Sequence, residues 1–232
     1  MVQGGAGRSG PDPSAQRPSG PRRVVVTRAE EQAEPLAGRL RALGAEVVLC
    51  PLIRIESLSD EPLDLSGWDW VVVTSPNGAR ELARRLVAPP RRLAAIGPGT
   101  ADALRAAGHE PDLVPRVHTQ EGLRHELPPA PGRVLLAAAE GARRDVLDAE
   151  FLALYRTVEL APDAPPEGDI VVLASPSAAR ALAATGARIP AVAIGPLTAA
   201  AAREHGILVA AEAGSSDLDG LVAAVGRALA SV

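Results

Sequence analysis

Apolar residues fall in short unbroken runs along this chain, and stretches of helical spacing follow them. Val24-Val25-Val26 ends at Thr27-Arg28 and leads into a segment from Glu30 to Leu43 in which Leu36, Leu40 and Leu43 recur at helical intervals. That spacing predicts a helix closed by Gly44 just past its end. Glu46 to Cys50 predicts the next strand, Pro51 to Ile55 continues extended, and Asp60 to Gly67 reads as a turn-rich connector. Trp68 to Thr74 lacks the polar alternation of a sheet with one wet face, so both of its faces are expected to be covered. Further on, Pro111 to Pro115 predicts a short strand and Gln120 to Leu123 opens a helix ending before Pro128. Arg133 to Ala137 predicts another strand, and residues 151–160 are read as extended. This succession predicts an α/β protein with a parallel sheet and helices on its faces.

The pattern repeats. Asp69-Trp-Val-Val-Val-Thr-Ser-Pro-Asn-Gly-Ala-Arg-Glu-Leu-Ala83 returns as Asp169-Ile-Val-Val-Leu-Ala-Ser-Pro-Ser-Ala-Ala-Arg-Ala-Leu-Ala183. Ala95-Ile-Gly-Pro-Gly-Thr-Ala101 returns as Ala193-Ile-Gly-Pro-Leu-Thr-Ala199 at nearly the same offset. The unit is too long for a solenoid and reads as duplication of a whole α/β half. Two similar lobes imply a cleft. In the second copy the offset shrinks between Glu140 and Leu152, which predicts a helix cut short after Ala139.

Each repeated phrase marks a junction where a strand turns into a helix. Ser75-Pro76 begins the helix predicted over 77–87, with serine as N-cap and proline at the first helical position, where no N–H is required. Ser175-Pro176 does the same, and helices start close behind Gly97-Pro98 and Gly195-Pro196. Taken singly, such pairs do no more than start helices. Four of them in matched copies place helix N-termini at the carboxyl ends of strands, where open α/β sheets bind ligands and where unpaired N–H groups suit a phosphate or carboxylate.

Composition narrows the possibilities. The 232 residues suffice for two modest cores, and with only 2% aromatics those cores must be built from Val, Leu, Ile and Ala. A net charge of −4 argues against a nonspecific nucleic-acid partner without excluding an anionic small ligand held by local donors. Every basic side chain that is not histidine is arginine, a coding bias more than a functional choice. The lone Cys50 allows no internal disulfide, reads as a buried inert thiol, and fits a reducing, cytoplasmic setting. Residues 1–21 are rich in Gly, Pro, Ser and Arg without an apolar centre, and read as a disordered tail and not a secretory signal. No run of 18 or more apolar residues occurs, so no membrane partner is expected.

The four histidines are scattered without ligand spacing, so no metal is expected. Nucleotide chemistry has no Walker loop and no complete Gly-x-Gly-x-x-Gly behind it, Gly97-Pro98-Gly99 being the nearest approach. That also disfavours a transferase or methyltransferase of double α/β form.

Six phrases in order carry a resemblance: Val24 to Arg28; Trp70 to Gly78; Ala95 to Leu104; Leu154-Tyr155-Arg156-Thr157; Ser175-Pro-Ser177-Ala; and Ala193 to Ala199. Singly they are weakly specific. In this order and spacing, covering nearly everything from residue 22 onward, the chain resembles the uroporphyrinogen-III synthase family. The resemblance implies a cofactor-free cyclising lyase of tetrapyrrole and heme biosynthesis. Such an enzyme closes the linear hydroxymethylbilane into uroporphyrinogen III, losing water and inverting the last pyrrole ring.

It also implies the architecture: two similar parallel-sheet lobes with helices on both faces, joined by a two-stranded hinge. Residues 22–50 plus 160–232 would form one lobe, 56–154 the other, and 51–55 with 155–159 the hinge strands. A monomer is the default. The substrate cyclises unaided but without inversion, so the enzyme's main task would be to hold a flexible polycarboxylate in its reactive conformation. Thr27, Arg28, Ser75, Asn77, Gly97, Thr100, Ser175, Ser177, Gly195 and Thr198 are the candidate substrate-binding residues. Arg28 reads either as a carboxylate partner or as a solvated surface residue. Tyr155, the only tyrosine, is placed by the resemblance near the departing hydroxyl, as an assisting proton donor or as an aromatic filling space beside the hinge. Arg80 and Arg180, one turn into the matched helices, are left outside the site as surface arginines.

Two departures stand out. Ala137-Ala138-Ala139 occupies a place where relatives often carry a basic residue, and Leu197 replaces a small polar residue beside Thr198. The main alternative is a noncatalytic two-lobe protein that closes on an anionic metabolite.

Overall fold

Val24 and Val26 point into one apolar layer and Val25 into another, which is why this run shows no polar alternation. It forms β1 (Arg23–Val26) in a computed structural model that describes residues 20–231. The segment expected to be a disordered tail lies, up to residue 19, outside the described residues. α1 (Glu30–Ala42) buries Ala33, Leu36, Ala37 and Leu40, and it ends with Gly44 at φ +82°, a conformation glycine adopts freely. Next come β2 (Glu46–Leu49) and β3 (Ile53–Ser57).

The chain then leaves the first sheet. β4 (Leu63–Asp64), β5 (Trp70–Val73), α2 (Pro76–Arg85), β6 (Leu86–Ala88), β7 (Leu93–Ala95), α3 (Pro98–Ala106), α4 (Gln120–Glu126), β8 (Val134–Ala139) and β9 (Glu150–Glu159) follow. It returns through β10 (Ile170–Leu173), α5 (Pro176–Ala184), β11 (Ala191–Ala193), α6 (Pro196–Glu204), β12 (Val209–Glu212) and α7 (Leu218–Ser231).

Two five-stranded sheets result, ordered β12-β11-β10-β1-β2 and β3-β9-β8-β5-β7. Every pairing within them is parallel except that of β3 with β9. β9 runs beside β8 through its first half and then continues as an antiparallel ladder with β3, pairing Ser57 with Tyr155 and Ile53 with Glu159. That two-stranded ladder connects the lobes. The repeated aspartates do matched work. Asp69 accepts from the Arg133 backbone N–H at 2.9 Å and Asp169 from that of Arg23 at 2.8 Å, each fixing the start of the adjacent parallel strand.

Helices cover both faces of the first sheet, α1 and α7 on one side, α5 and α6 on the other. In the second, α2 and α3 cover one face, but on the other only α4 is helical. The helix expected to be shortened after Ala139 is absent. Residues 140–149 turn back without one, because parallel strands need a crossover of a dozen or more residues to fit a helix. Leu147 is buried in its place, and Arg144 lies over the Phe151 ring at 3.7 Å.

Three smaller expectations are corrected. The connector at 60–67 contains β4, and the helix expected to reach residue 87 stops at Arg85 because Leu86 and Ala88 pair with β4. Pro111–Pro115 forms no strand, only an isolated bridge from Leu113 to Ala94. Cys50 is half-buried and not fully enclosed, and burial pushes its thiol pKa up, away from the reactive thiolate. Among the described residues no helix is long and apolar enough to cross a membrane, and no cluster of His, Cys, Asp and Glu suits a metal ion.

Candidate active site

All four junctions form at carboxyl ends of parallel strands. Ser75, extended at φ −161°, accepts from the Gly78 N–H at 2.9 Å and caps α2. Ser175 accepts from the Ala178 N–H at 3.2 Å and caps α5. Gly97 and Gly195 precede α3 and α6 without a side-chain cap. The tips of the two lobes face one cavity of about 780 Å³, floored by Ile53, Ile55, Tyr155 and Thr157 of the ladder. Gly99 of α3 and the Ser216 carbonyl, from opposite lobes, approach closely enough that a Cβ on Gly99 would lie 3.8 Å from that oxygen.

Of the residues named from sequence, the cavity is lined by Arg28, Ser75, Asn77, Tyr155 and Ser175. The others lie elsewhere. Thr27 is fully buried and its hydroxyl donates to the Val172 carbonyl at 2.7 Å, which ties β1 to β10. Thr100 and Thr198 are buried under their own helices. Gly97 sits beneath His118 and Gly195 beneath Ser216. Ser177 accepts from Arg180 at 3.0 Å, outside the cavity lining. The apolar runs could not reveal this, because a β-branched hydroxyl at a strand end looks alike whether it faces the core or the cleft.

Arg80, left outside the site from sequence as a surface arginine, lines the cavity, as do residues not singled out from the sequence, among them Gln32, Arg39, Thr157 and Ser216. Arg80 is the clearest omission. The twin motif hides its difference from Arg180, whose partner Glu159 at 2.9 Å comes from the ladder. Arg80 has no such partner among the described residues and donates to Asn77 Oδ1 at 3.0 Å.

Two features give the cavity its chemistry. Burial, with the nearby Arg80 charge second, depresses the pKa of Arg28, and its Nε is enclosed without a hydrogen-bond acceptor. Tyr155, 5% exposed, shares a 2.8 Å hydrogen bond with Ser75 Oγ. Burial pushes the phenol above its usual value, and the bond with Ser75 offsets only part of that. The phenol is therefore neutral and able to donate at physiological pH.

An alkaline titration checks this. With one tyrosine in the chain, tyrosinate absorbance should rise at a midpoint above the ordinary value of about 10 and fall back to about 10 in denaturant. The linkage has a definite sign. A raised folded pKa means the Tyr155 contribution to stability is complete below the unfolded pKa and is lost as pH climbs through the folded one. A native midpoint at or below the denatured one would contradict the burial of the hydroxyl.

Fold and site together define a two-lobe α/β protein whose strand tips meet across an arginine-bearing cleft with one buried phenol. Residues 34–223 match the family described as Uroporphyrinogen-III synthase HemD. The chain belongs to the uroporphyrinogen-III synthase family. A Methanocaldococcus jannaschii protein provisionally named uroporphyrinogen-III synthase is 30% identical over 150 residues, 59% of this chain and 62% of that one. The uroporphyrinogen-III synthase of Synechococcus elongatus is 32% identical over 136 residues, 53% of this chain and 52% of that one. The matched stretches thus span between half and two thirds of these relatives. A crystal structure of a mutant uroporphyrinogen III synthase from Thermus thermophilus shares the fold, with a TM-score of 0.57 at 20% identity over 90% of this chain and 99% of that one.

Proposed function

We propose that this protein is a cofactor-free uroporphyrinogen-III synthase that acts as a cytoplasmic monomer on hydroxymethylbilane. What supports the reading most is one cavity shared by both lobes, with cationic side chains at its wall and a neutral phenol at its floor. The lobes that reorient around substrate are residues 22–50 plus 160–232 and residues 56–154, with 51–55 and 155–159 as hinge strands.

Three steps make up the proposed reaction. Arg28, Asn77, Ser175 and the amides of the capped helices hold the substrate's carboxylates, so that its two ends meet. Tyr155 then protonates the hydroxyl as the C–O bond breaks, so that water departs, and the proton the last ring sheds when the macrocycle closes returns to the phenolate. Either hydroxyl of the Ser75–Tyr155 pair can be the donor; when Tyr155 gives its proton to the substrate its oxygen accepts from Ser75, whose oxygen accepts from the Gly78 N–H, so that the three donors point one way and each strengthens the next. The positive end of α2 backs this chain. The remaining task is conformational: the last ring must present the carbon that inverts it through a spiro intermediate, and positioning carries most of the rate. Thr27, Thr100, Thr198, Gly97 and Gly195 serve by shaping the strand tips.

The test supplies enzymatically generated hydroxymethylbilane, oxidises the products and separates the porphyrin isomers. Type III should exceed the type I background. Type I alone, as in a protein-free control, would rule out the synthase, and tight porphyrin binding beside it would identify a noncatalytic binder.

A further inference from the structure

Arg28 at the tip of β1 and Arg80 on α2 belong to different lobes and line the same cavity. Among the described residues, neither faces a carboxylate. Arg28 donates to Gln32 Oε1 at 3.4 Å and Arg80 to Asn77 Oδ1, both neutral amides. The three carboxylates at the cavity wall are already engaged. Asp102 pairs with Arg105 at 3.2 Å, Asp219 with Arg39 at 2.5 Å, and Asp217 accepts from the Gly220 N–H at 2.7 Å and from the Ser215 hydroxyl at 3.0 Å. The repeat provides an internal control. Arg180, the twin of Arg80, is neutralised by Glu159, whereas no acid among the described residues stands in the corresponding place beside Arg80.

We propose that Arg28 and Arg80 form a two-guanidinium station that bridges the lobes and takes one carboxylate of the bound molecule, so that the cleft closes on a polycarboxylate and resists closing when empty. The proposal rests on the synthase reading for the identity of that molecule. Its physics is simpler. Two like charges brought together by closure repel, and the low dielectric of the cleft strengthens the repulsion. A carboxylate between them turns one repulsion into two charge-assisted pairs. A ligand shifts a two-state equilibrium only by binding one state better, and this station supplies that difference for anions. The charge of Arg80 already acts on Arg28 across the cavity that both line.

The full chain serves for the test, with Cys50→Ser and spin labels at Leu208→Cys in one lobe and Val87→Cys in the other, both exposed sites. Interlobe distances are measured by pulsed electron resonance with and without uroporphyrin III, and its affinity by fluorescence. In otherwise unmodified protein the porphyrin should shift the distances to a narrower, shorter distribution. Arg80→Gln should move the empty protein towards that distribution while raising Kd about tenfold, close to 1.4 kcal/mol. Arg80→Lys should restore the open distribution and part of the affinity, and Arg180→Gln should change neither.

Unaltered distances and Kd in Arg80→Gln would overturn the station, as would an equal effect from Arg180→Gln, or no porphyrin binding in the parent. Failure of the synthase reading looks different. An Arg80-dependent affinity in a protein that forms only type I isomer keeps the station and removes the catalysis.

Discussion

Tyr155→Phe is expected to lower kcat about 100-fold, the low end for loss of a positioned proton donor, while product affinity changes less than about twofold. The low end applies because burial raises the phenol's pKa, so the hydroxyl acts more as a hydrogen-bond donor to departing hydroxide than as a strong acid. Binding is spared because a phenyl ring keeps the packing of Tyr155 among Leu82, Leu154 and their neighbours, and Ser75 still has the Gly78 N–H. Product would also shift towards the type I isomer, since substrate released before dehydration cyclises without help. Single-turnover rates with porphyrin Kd measured on the same preparation make the check. An unchanged kcat would remove Tyr155 from the chemistry and leave it as packing.

The second large effect comes from the two matched caps. Ser75→Ala should cost about 2–4 kcal/mol of stability, combining a lost N-cap of about 1 kcal/mol with an unpaired Tyr155 hydroxyl of about 1–3 kcal/mol. Tyr155 borders the cleft, so water reaching its hydroxyl would bring the figure to the lower end. Ser175→Ala removes a cap alone and should cost about 1 kcal/mol. Urea unfolding of both variants beside the parent distinguishes them. Equal losses would mean that the Ser75–Tyr155 bond adds nothing, and with it the donor chain proposed for catalysis would fail.

Much of the fold was legible because its signals are local. A run such as Val71-Val72-Val73 distributes between two apolar layers, and that alone marks a strand covered on both sides. Ser75-Pro76 and Gly97-Pro98 start helices through groups three or four residues away, and Gly44 ends one through its own φ. Leu86 to Ala88 misled because its preference for helix was overruled by β4, more than twenty residues earlier in the chain. Residues 140–149 misled differently: the shortened interval was visible, but not that it left no helix at all. The closing helix α7, which completes one face of the first sheet, went unremarked in the sequence although it buries Leu221, Ala224 and Val225.

The alternation of strands and helices, the duplicated halves and the junctions that begin each helix are all written in the order of the residues. These depend on contacts within one turn or one pleat, which a short window of residues contains. Long-range packing alone made Thr27 face the core while Arg28 faces the cleft, brought Tyr155 to Ser75, and gave Glu159 to Arg180 while leaving Arg80 without an acid among the described residues. The two arginines occupy one motif and differ only in what the other strands bring beside them. A side chain's charge partner is set by packing across distant segments, and no local pattern carries it.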